Sequence, residues 1–220
     1  MTTVSAFLRA ETQRLIGVKR RIEVIHNFFS PGPPTRTRAA VRRELGVADD
    51  QFLLFHSSNL RPVKRVDLVL AAFAQIEPRT SKLLILAGGD FNAFQADVVR
   101  LGLSDRVIVR ENITAIEDYL QAVDLGLFAS ESESFCLSIL EAMAFACPSV
   151  STSVGGIPEV LSDGESGVLT PVGDPRALAG AAMPGETSAD RAISARNVAS
   201  AIHPVRRLRT DGRAPGARLK

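Results

Sequence analysis

Val123-Asp-Leu-Gly-Leu-Phe-Ala129, running through Ser130-Glu-Ser-Glu-Ser134 into Phe135-Cys-Leu-Ser-Ile-Leu-Glu141, is the stretch that decides the fold. An apolar run of strand length stops at a polar loop and restarts as a helical pattern. That is one βα unit of a parallel sheet. Such a unit offers free backbone N–H groups at the C-terminal edge of its strand, where open α/β sheets receive phosphorylated ligands. Two carboxylates, Glu133 and Glu141, stand eight positions apart across the loop and helix. Eight residues are about 2.2 helical turns, so the two acids reach different ends of one elongated ligand and are too far apart to share a proton. Acids beside an anion site ask for a ligand with hydroxyls and phosphates together, and a nucleotide-sugar fits.

The same alternation extends to both sides. Strands are expected at Phe52–Ser57, Lys82–Ala87, Arg106–Val109, Asp124–Ala129, Ser149–Ser153 and Val168–Thr170. Helices are expected between them at Val66–Glu77, Asn92–Leu101, from Thr114 to about Ala122, at Phe135–Ala146 and at Ile157–Leu161. Thr114-Ala-Ile-Glu117 has the spacing of a capping box. Asp174-Pro175 places a cap ahead of a proline at the first helical position. Strands that are continuous apolar runs, each followed by a helix, are buried on both faces. With right-handed crossovers the expected fold is α/β, a doubly wound parallel six-stranded sheet of Rossmann type.

Upstream, residues 1–20 read as a short amphipathic helix and Arg21–Phe28 as a strand running into Ser30-Pro-Gly-Pro-Pro34, which no helix or central strand accommodates. Arg36–Leu45 reads as a helix closed by Gly46. The expected division is 1–30 as a remnant of a preceding domain with its linker, 31–182 as the nucleotide-sugar-binding domain, and 183–220 as a mostly disordered tail.

Composition narrows the function. The chain has 220 residues, 45% hydrophobic and 23% charged, with net charge +2. That sum hides an asymmetry: residues 1–182 hold 18 basic and 21 acidic side chains, and residues 183–220 hold 8 and 3. The body is mildly acidic, and with one Tyr and no Trp it lacks the stacking platforms of a single-strand nucleic-acid binder. A nucleic-acid role would rest on the tail alone. Cys136 and Cys147 are the only cysteines and have no metal-ligand spacing. No signal peptide or membrane span is legible, so the cytoplasm is the expected compartment.

The cations of the site fall in Asn59-Leu-Arg-Pro-Val-Lys-Arg65, after the first strand of the repeat. Arg61, Lys64 and Arg65 there face the same sheet edge as Glu133, and with a helix N-terminus they can neutralise a diphosphate without a metal. Leu86-Ala-Gly-Gly-Asp90 and Val154-Gly-Gly-Ile-Pro-Glu159 supply glycine loops where the backbone can approach a ligand, each equally a tight βα turn. GxGxxG, the P-loop pattern and DxD are absent, so no metal carrier is assigned. His56 reads as a hydrogen-bonded structural residue at the end of a buried strand.

These residues resemble the C-terminal domain of the retaining family 4 glycosyltransferases, which have the two-domain GT-B fold. The likeness covers about residues 22–182. It rests on the Glu-x7-Glu pair Glu133/Glu141 and on VIHNFF (24–29), HSSNLRPVKRVDLVLAAFAQI (56–76), DYLQAVDLGLFASESESFCLSILEAMA (118–144) and VGGIPEV (154–160). Within the family this wording is nearest to members that glycosylate L-malate at the start of bacillithiol biosynthesis. The resemblance implies transfer of N-acetylglucosamine from a UDP donor, UDP-GlcNAc, to a small-molecule acceptor with retention. It implies that Lys64 and Arg61 hold the donor diphosphate and that Glu133 bonds the sugar hydroxyls. Backbone N–H groups of Phe135, Cys136 and Leu137 would meet the phosphates, Glu141 would grip the ribose, and Gly88 would let the strand edge approach. Lys64, Arg61 and Glu133 are thereby the implied catalytic set, with no cofactor and no metal. Departures are Ser58-Asn59 where many relatives have Gly-Arg, Cys136 where glycine is frequent, and an N-terminal domain that does not precede residue 22. That domain, supplied separately, or self-association of the chain, is the implied partner. The alternative is a nucleotide-sugar-binding remnant, or a truncated gene product, without turnover.

Overall fold

The computed structural model describes residues 1–77 and 80–183; the basic tail lies outside the described residues. In chain order the elements are β1 (Thr2–Thr3), α1 (Ala6–Ile16), β2 (Glu23–Val24), α2 (Arg38–Glu44), β3 (Leu53–Ser58), α3 (Val66–Phe73), β4 (Lys82–Ala87), α4 (Gln95–Arg100), β5 (Val107–Glu111), α5 (Ile116–Leu120), β6 (Leu125–Phe128), α6 (Leu137–Ala144), β7 (Ser149–Thr152), β8 (Gly167–Thr170) and α7 (Pro175–Ala182). Six of the strands form one sheet in the order β5-β4-β3-β6-β7-β8, parallel throughout. The expected doubly wound sheet is therefore present.

Alternate side chains on each strand feed opposite faces. Leu54, Leu83, Ile85, Leu125 and Leu127 pack with Val69, Leu70 and Phe73 of α3 and Leu178 of α7. Leu53, Phe55, Leu84, Leu86 and Phe128 pack on the other face with Val41 of α2, Leu120 of α5 and Ile139 and Met143 of α6. Strands apolar on both faces are what the continuous apolar runs require.

Strand order reverses between β3 and β6, which is where such sheets bind ligands. Their pairing is short: Leu54 aligns with Leu125 and Phe55 with Gly126. β3 continues alongside β4 as far as Ser58 and Ala87. The two central strands thus part company at their C-terminal ends and leave a crevice there. His56 spans its floor, with Nδ1 2.9 Å from the Leu127 carbonyl oxygen.

Several sequence expectations need correction. The strand expected over Arg21–Phe28 is only Glu23–Val24, paired in parallel with Thr2–Thr3 in a separate two-stranded sheet. The helix expected from Thr114 starts at Ile116 after Ala115, with no side-chain cap; correct spacing did not bring the Thr114 hydroxyl onto the helix end. The helix expected from Phe135 starts at Leu137, because Cys136 has φ 72 and ψ 82 and cannot be a helical residue. The helix expected over Val66–Glu77 ends at Phe73. The Asp174 cap is present, its carboxylate accepting from the Arg176 and Ala177 N–H groups at 2.9 and 3.0 Å.

Candidate functional site

Two loops face each other across the crevice. After β3, Ser58–Arg65 turns through a single 3-10 turn at Pro62–Lys64. After β6, Ala129–Cys136 leads into α6. The Glu131 N–H donates to the Val63 carbonyl at 2.9 Å and stitches the loops together. Lys64 forms an ion pair with Glu133, both side chains being largely buried. Arg65 forms one with Glu131 and holds Asp67 from two nitrogens, at 2.9 and 2.7 Å. The Arg61 guanidinium is exposed and makes no hydrogen bond or ion pair to the described residues.

The His56 ring fixes the base of the cationic loop. The Leu127 carbonyl only accepts, so Nδ1 carries the proton and Nε2 accepts from the Ser58 hydroxyl at 2.8 Å. Ser58 Oγ in turn accepts from the Leu60 N–H at 3.2 Å. Burial pushes the His56 pKa down to about 4; the Leu127 bond opposes this and the Lys64 charge adds to it. A neutral, doubly bonded imidazole is a structural part, as its place at the end of a buried strand suggested.

The Glu133 loop is held from behind. Gly156 N–H donates to the Glu133 carbonyl at 3.0 Å. A Cβ on Gly155, whose φ is +59, would sit 1.8 Å from that carbonyl oxygen, and one on Gly156 would sit 2.1 Å from the Ser134 carbonyl oxygen. The glycine pair of Val154-Gly-Gly is therefore a close backbone approach that seats the acidic loop. Thr152 Oγ1 adds a bond to the Ser130 carbonyl at 2.6 Å. Gly88 behaves differently: its Cβ would make ordinary contacts, with Asn59 Cα at 3.4 Å, the Ser58 carbonyl oxygen at 3.5 Å and Asn59 Cβ at 3.8 Å. Packing alone does not demand glycine there.

Glu141 lies within α6. With Ser58, Asn59, Gly88, Asn112, Thr114 and Leu137 it lines an open cavity of about 370 Å³. Burial raises its pKa and the neighbouring Glu117 charge raises it further. Cys136 lies between the two ends of the site: burial pushes its thiol up to about 12, with Glu133 and Glu141 raising it too and Lys64 lowering it. All three charges are thus felt at one buried atom. Phe135 is buried and stacks on His26, ring centroids 5.5 Å apart. The backbone N–H groups of Phe135, Cys136 and Leu137 donate to no acceptor among the described residues.

Among the described residues, four of the five non-glycine residues with positive φ ring this edge: Leu60, Arg65, Asn112 and Cys136. Such conformations are costly and gather where a site must be held in shape. Sequence reasoning had Lys64, Arg61, Glu133, Glu141 and the start of α6 on one sheet edge. It missed the cavity wall at Asn112 and Thr114, the seating role of Gly155 and Gly156, and Glu159. The Glu159 carboxylate accepts from the Ala6 and Phe7 N–H groups at 2.8 Å and lies 3.2 Å from His26 Nε2. The only signal for it was its position three residues after a glycine pair. Among the described residues no group of three or more His, Cys, Asp or Glu is placed to hold a metal, and no helix is long and apolar enough to cross a membrane.

The family described as Glycosyl transferases group 1 matches residues 51–183. N-acetyl-alpha-D-glucosaminyl L-malate synthase of Bacillus anthracis is 37% identical over 186 residues, 83% of this chain and 49% of that protein. D-inositol 3-phosphate glycosyltransferase of Mycolicibacterium smegmatis is 32% identical over 177 residues, 72% of this chain and 39% of that protein. Among solved structures, Anabaena HepE in complex with UDP and glucose superimposes with a TM-score of 0.78 at 27% identity, over 92% of this chain and 58% of that one. The chain spans about half, or less, of the length of the curated relatives it matches.

Proposed function

Because the chain belongs to the Glycosyl transferases group 1 family, we propose that it is the donor-binding half of a retaining glycosyltransferase that moves N-acetylglucosamine from UDP to L-malate. The order of groups along the crevice supports this reading: the Lys64–Glu133 pair at one end, the Glu141 cavity at the other, and the start of α6 between them. A UDP-sugar has the same order, with a diphosphate between two hydroxyl-rich rings. The name of the 37% identical relative supplies the sugar and acceptor, and HepE, with UDP and glucose, supplies the nucleotide.

In this reading Lys64 and Arg61 neutralise the diphosphate, and the free N–H groups of Phe135, Cys136 and Leu137 bind its oxygens. Glu133 accepts from sugar hydroxyls, Glu141 from the ribose hydroxyls, and the missing side chain of Gly88 leaves room for the donor. The bond from the anomeric carbon to the phosphate oxygen breaks, and a bond to the acceptor oxygen forms on the same face. The acceptor proton passes to the departing phosphate, so no side-chain base is required. Lys64 and Arg61 stabilise the charge that develops on the leaving group, which is electrostatic catalysis. No metal is assigned.

The acceptor must be brought within about 3–3.5 Å of the anomeric carbon. We assign that task to a second domain, with residues 1–30 as the end of that domain and its linker and 31–182 as the donor domain. Its docking face would include the exposed Phe7, Leu15, Ile16, Ile25 and Phe28. The two buried free thiols are in keeping with the cytoplasm. Supplying the chain with UDP-N-acetylglucosamine and L-malate, and following donor binding and product separately, tests the proposal. Saturable donor binding is the expected result, with product formed once the second domain is supplied; saturable binding with no product even then identifies a binding remnant, and no binding at all removes the donor reading.

A further inference from the structure

The facing loops after β3 and β6 carry five charged side chains: Arg61, Lys64, Arg65, Glu131 and Glu133. Glu133 pairs with Lys64, and an incoming diphosphate gains the full ammonium charge when Glu133 turns to another partner. Sugar hydroxyls can be that partner. Glu131 is a second candidate for Lys64. Its backbone is bonded to Val63, the residue before Lys64, at 2.9 Å. It instead pairs with Arg65, a residue held at φ 47 as the cap of α3 and braced from the other side by Asp67 at 2.9 and 2.7 Å.

We infer that Arg65 is the counter-charge of Glu131 and keeps this carboxylate off Lys64, so that the cation remains available to an incoming diphosphate. Arg65 is on this account a positioning residue that does not touch the ligand. The inference rests on the donor reading above. It explains why a long basic side chain occupies a left-handed position that suits glycine, and why the loop tolerates two acids beside an anion site. Without the guanidinium, Glu131 competes with the diphosphate for Lys64 and repels it directly. Glu131 is partly exposed, so the effect is of the screened kind, about five-fold in affinity at low ionic strength.

The test uses the full chain, UDP as the probe, and calorimetry at low and high salt, with melting temperatures recorded alongside. Arg65→Gly removes the guanidinium while suiting the backbone conformation. It is expected to weaken UDP binding about five-fold at low salt, shrinking toward two-fold or less at about 0.5 M salt. Glu131→Gln alone is expected to stay within about two-fold of wild type, and Arg65→Gly/Glu131→Gln to recover to within about two-fold. A double variant as weak as Arg65→Gly overturns the inference, since the guanidinium would then be shaping the loop or touching the ligand itself. An Arg65→Gly variant that binds as tightly as wild type overturns it as well. If the wild-type chain does not bind UDP at all, the donor reading falls and takes this inference with it.

Discussion

Cys136 holds φ 72 in the one position from which helix α6 must start. Left-handed backbone costs an L-residue about 1–2 kcal/mol, and β-branching adds to it. Cys136→Gly is therefore expected to keep stability within about 1 kcal/mol, relief of strain offsetting the loss of a small buried side chain. Cys136→Val is expected to cost about 2–3 kcal/mol; urea unfolding of the two variants checks the contrast. The same geometry explains why the sequence misplaced the start of α6. Apolar periodicity runs unbroken from Phe135, and nothing in a cysteine announces a left-handed turn. The chemistry at the other end of the helix was more legible. Glu141 stands among Ile139, Leu140, Ala142 and Met143, and a carboxylate in such company needs something to accept its charge. Its pKa is raised above the ordinary 4.5 by burial and by Glu117. For an acid with a raised folded pKa, relative stability is full below the unfolded pKa and is lost as pH rises through the folded one. Glu141→Gln should thus melt higher than wild type at pH 7, with the gap closing as pH falls below 4.5, while UDP binding weakens. Thermal melts across that range decide it; an equal gap at all pH values would contradict a buried carboxylate.

Elements, rather than single residues, carry the alignment of the crevice. The loop after β7 is wedged against the loop after β6 at Gly155 and Gly156, with no space for a side chain. Gly155→Ala is expected to destabilise by about 3–5 kcal/mol, combining overpacking with a strained φ, and to lose UDP binding at temperatures where the chain is still folded. The sequence left this glycine pair open between a ligand approach and a tight βα turn, because a backbone-to-backbone approach leaves no side-chain pattern. The sheet itself was legible because each strand is an apolar run matched to two covering layers, as in Lys82–Ala87 between the α3 and α6 sides. Short β2 was overread for the opposite reason: apolar spacing in residues 21–28 continues well past the two residues that pair. A second joint lies at Asp118 of α5. Burial alone would raise its pKa, but bonds from Arg36 and then Thr35 override it and hold the carboxylate well below the usual 3.8. The bonds run from Arg36 Nε at 2.8 Å, Thr35 N at 2.6 Å and Thr35 Oγ1 at 2.8 Å. With a depressed folded pKa, the stabilisation is present above 3.8 and is lost as pH falls through the folded value. Asp118→Ala is expected to cost about 3 kcal/mol near neutral pH, with the difference from wild type shrinking below pH 4; unfolding curves at pH 7 and pH 3 measure both.

At the scale of the molecule, one sheet edge gathers what the sequence had scattered over some eighty positions, from His56 to Glu141. The strand order fixes this. Only at the reversal between β3 and β6 do the loop of Lys64 and the loop of Glu133 become neighbours. No periodicity in a sequence reveals strand order, so the proximity rested on the parallel fold and on resemblance. The most direct test of the account is calorimetric titration of UDP into the chain and into Lys64→Ala and Glu141→Ala. Removing a charged hydrogen-bond partner is worth about 1.5–3 kcal/mol. The account predicts saturable binding by the wild type, weakened about ten-fold or more in each variant with folding intact. Wild-type affinity in both variants would contradict it.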